Sequence, residues 1–171
     1  MFLAKRARFR FNTAVRTSYR YLILEVNTLS GGGVNTAIRE IEYSADAGAT
    51  WLPSSNMTSN TAPSPLVASA IAEFDSSTRA WEAFNGDAGT TSFWRSTSNT
   101  DQWITIDLGS GNEIAPNRIR ITNMRSLINS SLGSFKVYGS NTGNTPADGD
   151  LLVTVTGLSS QANGTVTTYT I

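Results

Sequence analysis

Residues 19–44, YRYLILEVNTLSGGGVNTAIREIEYS, hold two runs of alternating apolar residues on either side of a glycine-rich loop. In the first run Leu22, Leu24 and Val26 share a face, the period-two spacing of a strand with one side buried. The SGGG that follows punctuates the pattern and marks a connection. The stretch therefore reads as two strands. What it leaves open is whether the pair begins a domain or completes one whose other strands come later.

The rest of the chain keeps the same period. ARFRFN places Ala7, Phe9 and Phe11 on one face and Arg6, Arg8 and Arg10 on the other. WITIDLG aligns Ile104, Ile106 and Leu108, RIRIT aligns Ile119 and Ile121, and SFKVYGS aligns Phe135 and Val137. LLVTVT and TVTTYTI add two more runs near the end. These segments are short, rich in β-branched residues, and separated by Gly, Asn, Ser and Pro clusters such as GSGNEIAPN, which is the pattern of an all-β sandwich or barrel. One short helix is expected where Asp75 or Ser76 caps SSTRAWEAF and Gly86 falls just past its end. Residues 53–65, rich in Ser, Thr and Asn, read as a surface connection.

At 171 residues and 39% hydrophobic content the chain supports one core. Thirteen basic and thirteen acidic residues give zero net charge, so the bulk protein has no general attraction to nucleic acid or anionic membrane. Cysteine and histidine are both absent, which removes disulfides, thiolate nucleophiles, Ser-His-Asp chemistry and the usual zinc sites. The acids are scattered, with only Glu40 and Glu42 close on one strand, so a glycosidase pair is not indicated and no catalytic residue is assigned. The first residues lack the apolar core of a secretory signal, and no apolar run is long enough to span a membrane, so a non-exported small gene product is expected.

From Leu66 onward the chain carries VAS, AFNGDAGTTSFW, QWITIDLG, RIRIT and SFKVYGS in order. This series resembles the discoidin, or coagulation factor type C, branch of the galactose-binding-like jelly rolls. In that family a closing pair of strands of the form YRYLRL…AI.EIE follows these motifs, whereas here the corresponding pair stands in front, at 19–43. The chain thus resembles a circularly permuted discoidin-like domain, an order similar to domains of tailed-phage virion proteins. The resemblance implies an all-β jelly-roll β-sandwich with one short helix over residues 19–171, preceded by a basic N-terminal arm or strand, residues 1–18.

The resemblance also implies sites. Family members often hold a structural Ca2+ ion, and its ligands carry over to Asp87 and Thr90 in the loop and Glu40 in REIE, although Asn85 stands where Asp is usual. Calcium and a metal-free Asx turn are both compatible with this loop. Ligand recognition in the family comes from loops at one end of the sandwich, which points to Phe93, Arg95, Asn123 and Arg125. Trp94 and Trp103 are expected to pack the core or buttress those loops. Lys5, Arg6, Arg8, Arg10, Arg16 and Arg20 all precede the first acid, Glu25, as either a solvated strand face or an anchoring arm.

The expected function is that of a non-enzymatic virion protein, a capsid or tail decoration, fibre or adhesin component. Its partners would be other virion proteins, copies of itself as a homo-oligomer, and host surface glycans, with no nucleic acid and no membrane insertion. The alternative is a carbohydrate-binding module or lectin of a secreted bacterial glycan-active protein.

Overall fold

In the computed structural model, residues 16–87, 91–124 and 130–171 are described. The strands are β1 (Tyr21–Leu29), β2 (Ala37–Ser44), β3 (Val67–Ala70), β4 (Trp94–Arg95), β5 (Gln102–Asp107), β6 (Arg118–Asn123), β7 (Leu132–Ser140), β8 (Asp150–Val155) and β9 (Val166–Thr170). They form two antiparallel sheets, β3-β5-β1-β7-β8 and β4-β2-β6-β9. This is the galactose-binding-like β-sandwich.

The 19–44 pair is not a hairpin, because β1 and β2 lie in different sheets and both are interior. β1 sits between β5 and β7, in register from Tyr21↔Asp107 to Val26↔Gln102 on one side, while β2 sits between β4 and β6. The glycine-rich loop carries the chain from one layer to the other. Leu22, Leu24 and Val26 of β1 join Ile104, Ile106, Phe135 and Val137 in one inner face, opposed by Ile38, Ile41, Tyr43, Ile119 and Ile121 of the second sheet. Complete burial of each large aliphatic side chain contributes roughly 1.5–3 kcal/mol, so this double row dominates the stability of the fold. Tyr169 of β9 closes the row with its ring edge-on to Phe135, centroids 4.9 Å apart.

Three sequence expectations change. The helix over SSTRAWEAF is a 3-10 turn confined to Ala80–Phe84, and its N-cap Arg79 has no side-chain capping bond. Asp75 does not cap it, because its carboxylate is spent on a turn of its own, accepting the Ser77 N–H at 2.8 Å and the hydroxyls of Ser77 and Thr78. Distant side chains take the free donors of the 3-10 turn instead: Glu73 accepts from Ala80 N–H at 2.8 Å and Asn60 from Trp81 N–H at 3.0 Å. The connection over 53–65 is more than surface, since Met57 just beyond its first residues is 1% exposed and donates its N–H to Phe84 O at 3.1 Å. Finally, Ile23 lies on the outer face of β1 and is still fully buried. Its neighbour Thr105 donates to Asn144 O at 2.7 Å, which ties the β7–β8 connection to that face.

The ARFRFN segment lies outside the described residues. The first described residue, Arg16, donates its guanidinium N–H to Ile171 O at 3.3 Å and Pro116 O at 3.4 Å and so lies beside the last residue, Ile171.

Candidate functional site

β2 keeps its inner row at Ile38, Ile41 and Tyr43, a spacing of three and then two. The register with β6 breaks between Ile38 and Glu40, a bulge that absorbs one residue and takes Glu40 out of the inner row. Glu40 is 4% exposed. Its Oε1 accepts the Gly86 N–H at 3.1 Å, and its buried Oε2 has no hydrogen-bond partner. Burial pushes the carboxyl up to about 8, against the Gly86 bond that favours the charged form, with Glu42 and Asp87 adding to the rise.

The loop facing Glu40 is shaped by its own side chains. Gly86 has φ +70°, and a Cβ there would fall on the Asn56 amide at 2.3 Å, so both conformation and space select glycine. Asn85 Oδ1 accepts the Asp87 N–H at 2.8 Å, and Asn85, Ser92 and Glu82 form a linked cluster. Glu40 and Asp87, far apart in sequence and assigned to one site by resemblance, are brought together: Glu40 of β2 faces the loop at Gly86, next to Asp87. Thr90 lies outside the described residues, and among those described no group of three or more acidic side chains gathers. Glu42 is engaged elsewhere: Arg120 grips it with two bonds of 2.5 Å and lies over Trp51, 4.3 Å from the ring centre.

At the end of the sandwich near β4, the four residues expected to present a ligand surface behave differently. Arg95 stacks its guanidinium on Phe74, 3.6 Å from the ring centre, and donates to Asn35 Oδ1 at 2.7 Å. Phe93 is 7% exposed and packs with Ala37 and Met124 in a small second core, so its ring is no open platform. Asn123, expected on a loop, is instead the last residue of β6 and 3% exposed. Its amide donates to Gln161 O and Ala162 O, pinning the β8–β9 connection. Arg125 lies outside the described residues. Trp94 is fully buried with its indole N–H on Ala72 O at 3.0 Å, whereas Trp103 is half-buried beside Glu25.

Two residues absent from the sequence reading complete this surface. Phe74 and Ile71 are 46% and 50% exposed on the segment after β3, which is held by Phe74 N–H to Arg95 O (2.8 Å) and Ile71 N–H to Trp103 O (3.1 Å). A signal was present in EFDSS: an aromatic residue directly before an Asx-type turn has no strand or helix in which to bury itself. The opposite end carries a pocket of about 200 Å³ floored by Leu52, Pro65, Leu66 and Leu108, with Ser54 and Asn112 at its wall and no ionisable lining.

An antiparallel sandwich with interior β1 and β2, a carboxylate presented to a glycine turn, and an aromatic–guanidinium stack at one end give the frame of a galactose-binding-like domain. Residues 82–171, a little over half the chain, match the family described as NedA-like, galactose-binding domain, of the F5/F8 type C group, and the chain belongs to that family. No curated protein and no solved structure matches it. Domains of this family are typically binding modules rather than catalysts.

Proposed function

We propose that this protein is a non-catalytic glycan-binding module of a tailed-phage virion, serving as a decoration, fibre or adhesin component. The observation that carries the binding reading is the Arg95–Phe74 stack. A half-exposed ring with a planar guanidinium laid on it offers a sugar an apolar face beside a cation. Asn35 fixes the guanidinium from behind, so little side-chain freedom remains to be lost on binding.

The virion reading is supported by strand order. β1 and β2 precede the matched residues 82–171 yet occupy interior positions, one in each sheet, a placement in keeping with a permuted order like that of the resembled phage domains. No described helix is long and apolar enough to cross a membrane. Other virion subunits and host surface glycans are the partners this reading assigns.

A structural Ca2+ ion belongs to the same proposal. The unpartnered, buried Glu40 Oε2 beside the Gly86–Asp87 turn suits a hard cation, which takes oxygen ligands. Glu40 and Asp87 would hold it, with Thr90 as the further ligand carried over from the family. Such an ion supplies charge compensation and cross-links β2 to the loop.

The test is a glycan array probed with the purified protein and with the Phe74→Ala and Arg95→Ala variants. Binding that falls at least about tenfold in each variant, the equivalent of about 1.4 kcal/mol, is expected. Binding that is absent in the parent, or unchanged in both variants, overturns the glycan assignment. Mass spectrometry of purified particles decides the virion assignment separately.

A further inference from the structure

Four strands form the edges of the two sheets, and three of them are protected in the ways edges ordinarily are. β3 is flanked by the preceding connection, whose Asn60 carbonyl accepts the Ala68 N–H at 2.8 Å. β4 is flanked by residues 74–78 through Phe74 N–H to Arg95 O at 2.8 Å and Arg95 N–H to Thr78 O at 3.1 Å. The β7–β8 ladder is interrupted by a register shift between Val137 and Tyr138, which disrupts a flat edge.

β9 has none of these devices. Its sequence, VTTYT, contains no charge and no proline, and its pairing with β6 runs without a bulge from Arg118↔Thr170 to Thr122↔Val166. Asn123 N–H donates to Thr165 O at 2.9 Å and Ile171 N–H to Asn117 O at 3.0 Å, which fixes the alternation. The odd-numbered residues of β9 therefore turn their backbone groups to β6, and Val166, Thr168 and Thr170 turn theirs outward. All three are exposed. Among the described residues no strand pairs with this side. The whole stretch from Leu151 to Ile171 lacks a charged residue.

We propose that β9 pairs antiparallel with β9 of a second copy of this chain, about a two-fold axis at Thr168, joining two four-stranded sheets into one. The two-fold sets Thr168 opposite its own copy and Val166 opposite Thr170, pairs of β-branched residues that suit adjacent strands, and each outward residue exchanges both backbone bonds. A partner chosen by charge finds nothing to read along 151–171, whereas a second copy meets no like charge there. Two cations stand at this edge and both are already turned back onto it, Arg118 onto Thr170 Oγ1 at 2.8 Å and Asn117 O, and Arg16 onto Ile171 O and Pro116 O. Zero net charge adds no long-range repulsion between copies. A single strand pair buries less than the roughly 1,200 Å² of a stable interface, so the dimer is weak in solution and gains from repetition in an assembly. The inference stands independently of what the Arg95 end binds.

The test is sedimentation velocity of the full chain over a roughly hundredfold concentration range, with amide hydrogen exchange at both extremes. A shift from monomer to dimer is expected, with protection rising together at Val166, Thr168 and Thr170. Thr168→Lys sets two ammonium groups face to face and should remain monomeric with an unchanged melting temperature, while Thr168→Val should still dimerise. A parent chain that stays monomeric throughout overturns the proposal, as does a dimer that survives both Thr168→Lys and Val166→Lys. Dimerisation that appears only after deletion of residues 1–15 also overturns it, by assigning the edge to the chain's own arm.

Discussion

Glu40 is the described carboxyl whose chemistry departs furthest from its water value, and the direction of that departure has a consequence for stability. Its folded carboxyl titrates near 8, above the ordinary value of 4.5, chiefly because burial disfavours the charge. The folded state thus holds the proton more tightly than the unfolded chain does. This contribution is fully present below pH about 4.5, declines as pH rises towards 8, and is lost above that. Thermal melts of the metal-free protein at pH 5 and pH 9 should therefore show less stability at the higher pH, by on the order of a few kcal/mol from this group. Glu40→Gln should remove most of that difference. Added Ca2+ should reverse it, since a cation favours the carboxylate and so binds more tightly as pH rises. A parent melting temperature unmoved by Ca2+ at pH 8 would remove the ion from the Glu40 loop.

At the scale of elements, alternation in the sequence located most of the sandwich because each strand has one face in the core. The runs at 22–26, 104–106, 119–121 and 135–137 all became strands with their alternating apolar residues inside, and Leu108 is buried just past the end of β5. Elements whose partners are remote were read less well. The 3-10 turn takes its donors' partners from Asn60 and Glu73, which no local capping pattern reveals. Asn123 resembled a loop residue because its buried amide serves a connection some forty residues later. Glu40 and Asp87 were grouped by family likeness alone, since the bulge that aims Glu40 leaves no mark in REIE. β4 shows how a two-residue strand survives: Trp94 is fully buried and anchors to Ala72 O, tying β4 to the segment after β3. Trp94→Ala should cost roughly 3–5 kcal/mol in urea unfolding, from lost burial and the cavity left behind. Trp94→Phe, which keeps an aromatic ring but loses the indole N–H and part of the buried volume, leaves the Ala72 carbonyl unpaired and should cost roughly 1–3 kcal/mol. Equal, small losses in both would mean that β4 is held by its backbone bonds alone.

For the whole molecule, the order of the strands along the chain is separable from their arrangement in space. Arg16 reaches Ile171 O at 3.3 Å, so the first described residue and the last lie within a side chain's length of each other. Exposed Ser54 and Ser55 offer a place to cut the present connection without disturbing buried Met57. Residues 55–171 alone lack the centre of one sheet and an interior strand of the other, so they should be unfolded by circular dichroism. Supplying residues 16–54 as a separate peptide should restore the β signal. A chain running from 55 to 171, then a glycine-serine linker of about five residues, then 16 to 54 should fold cooperatively with the same spectrum. The changed loop lengths should shift its stability by only on the order of 1 kcal/mol, because closure entropy grows slowly with length. If the 55–171 fragment folds unaided, β1 and β2 are dispensable and the permuted reading fails. If the reordered chain is insoluble or melts without cooperativity, the front position of residues 19–44 is itself required for folding.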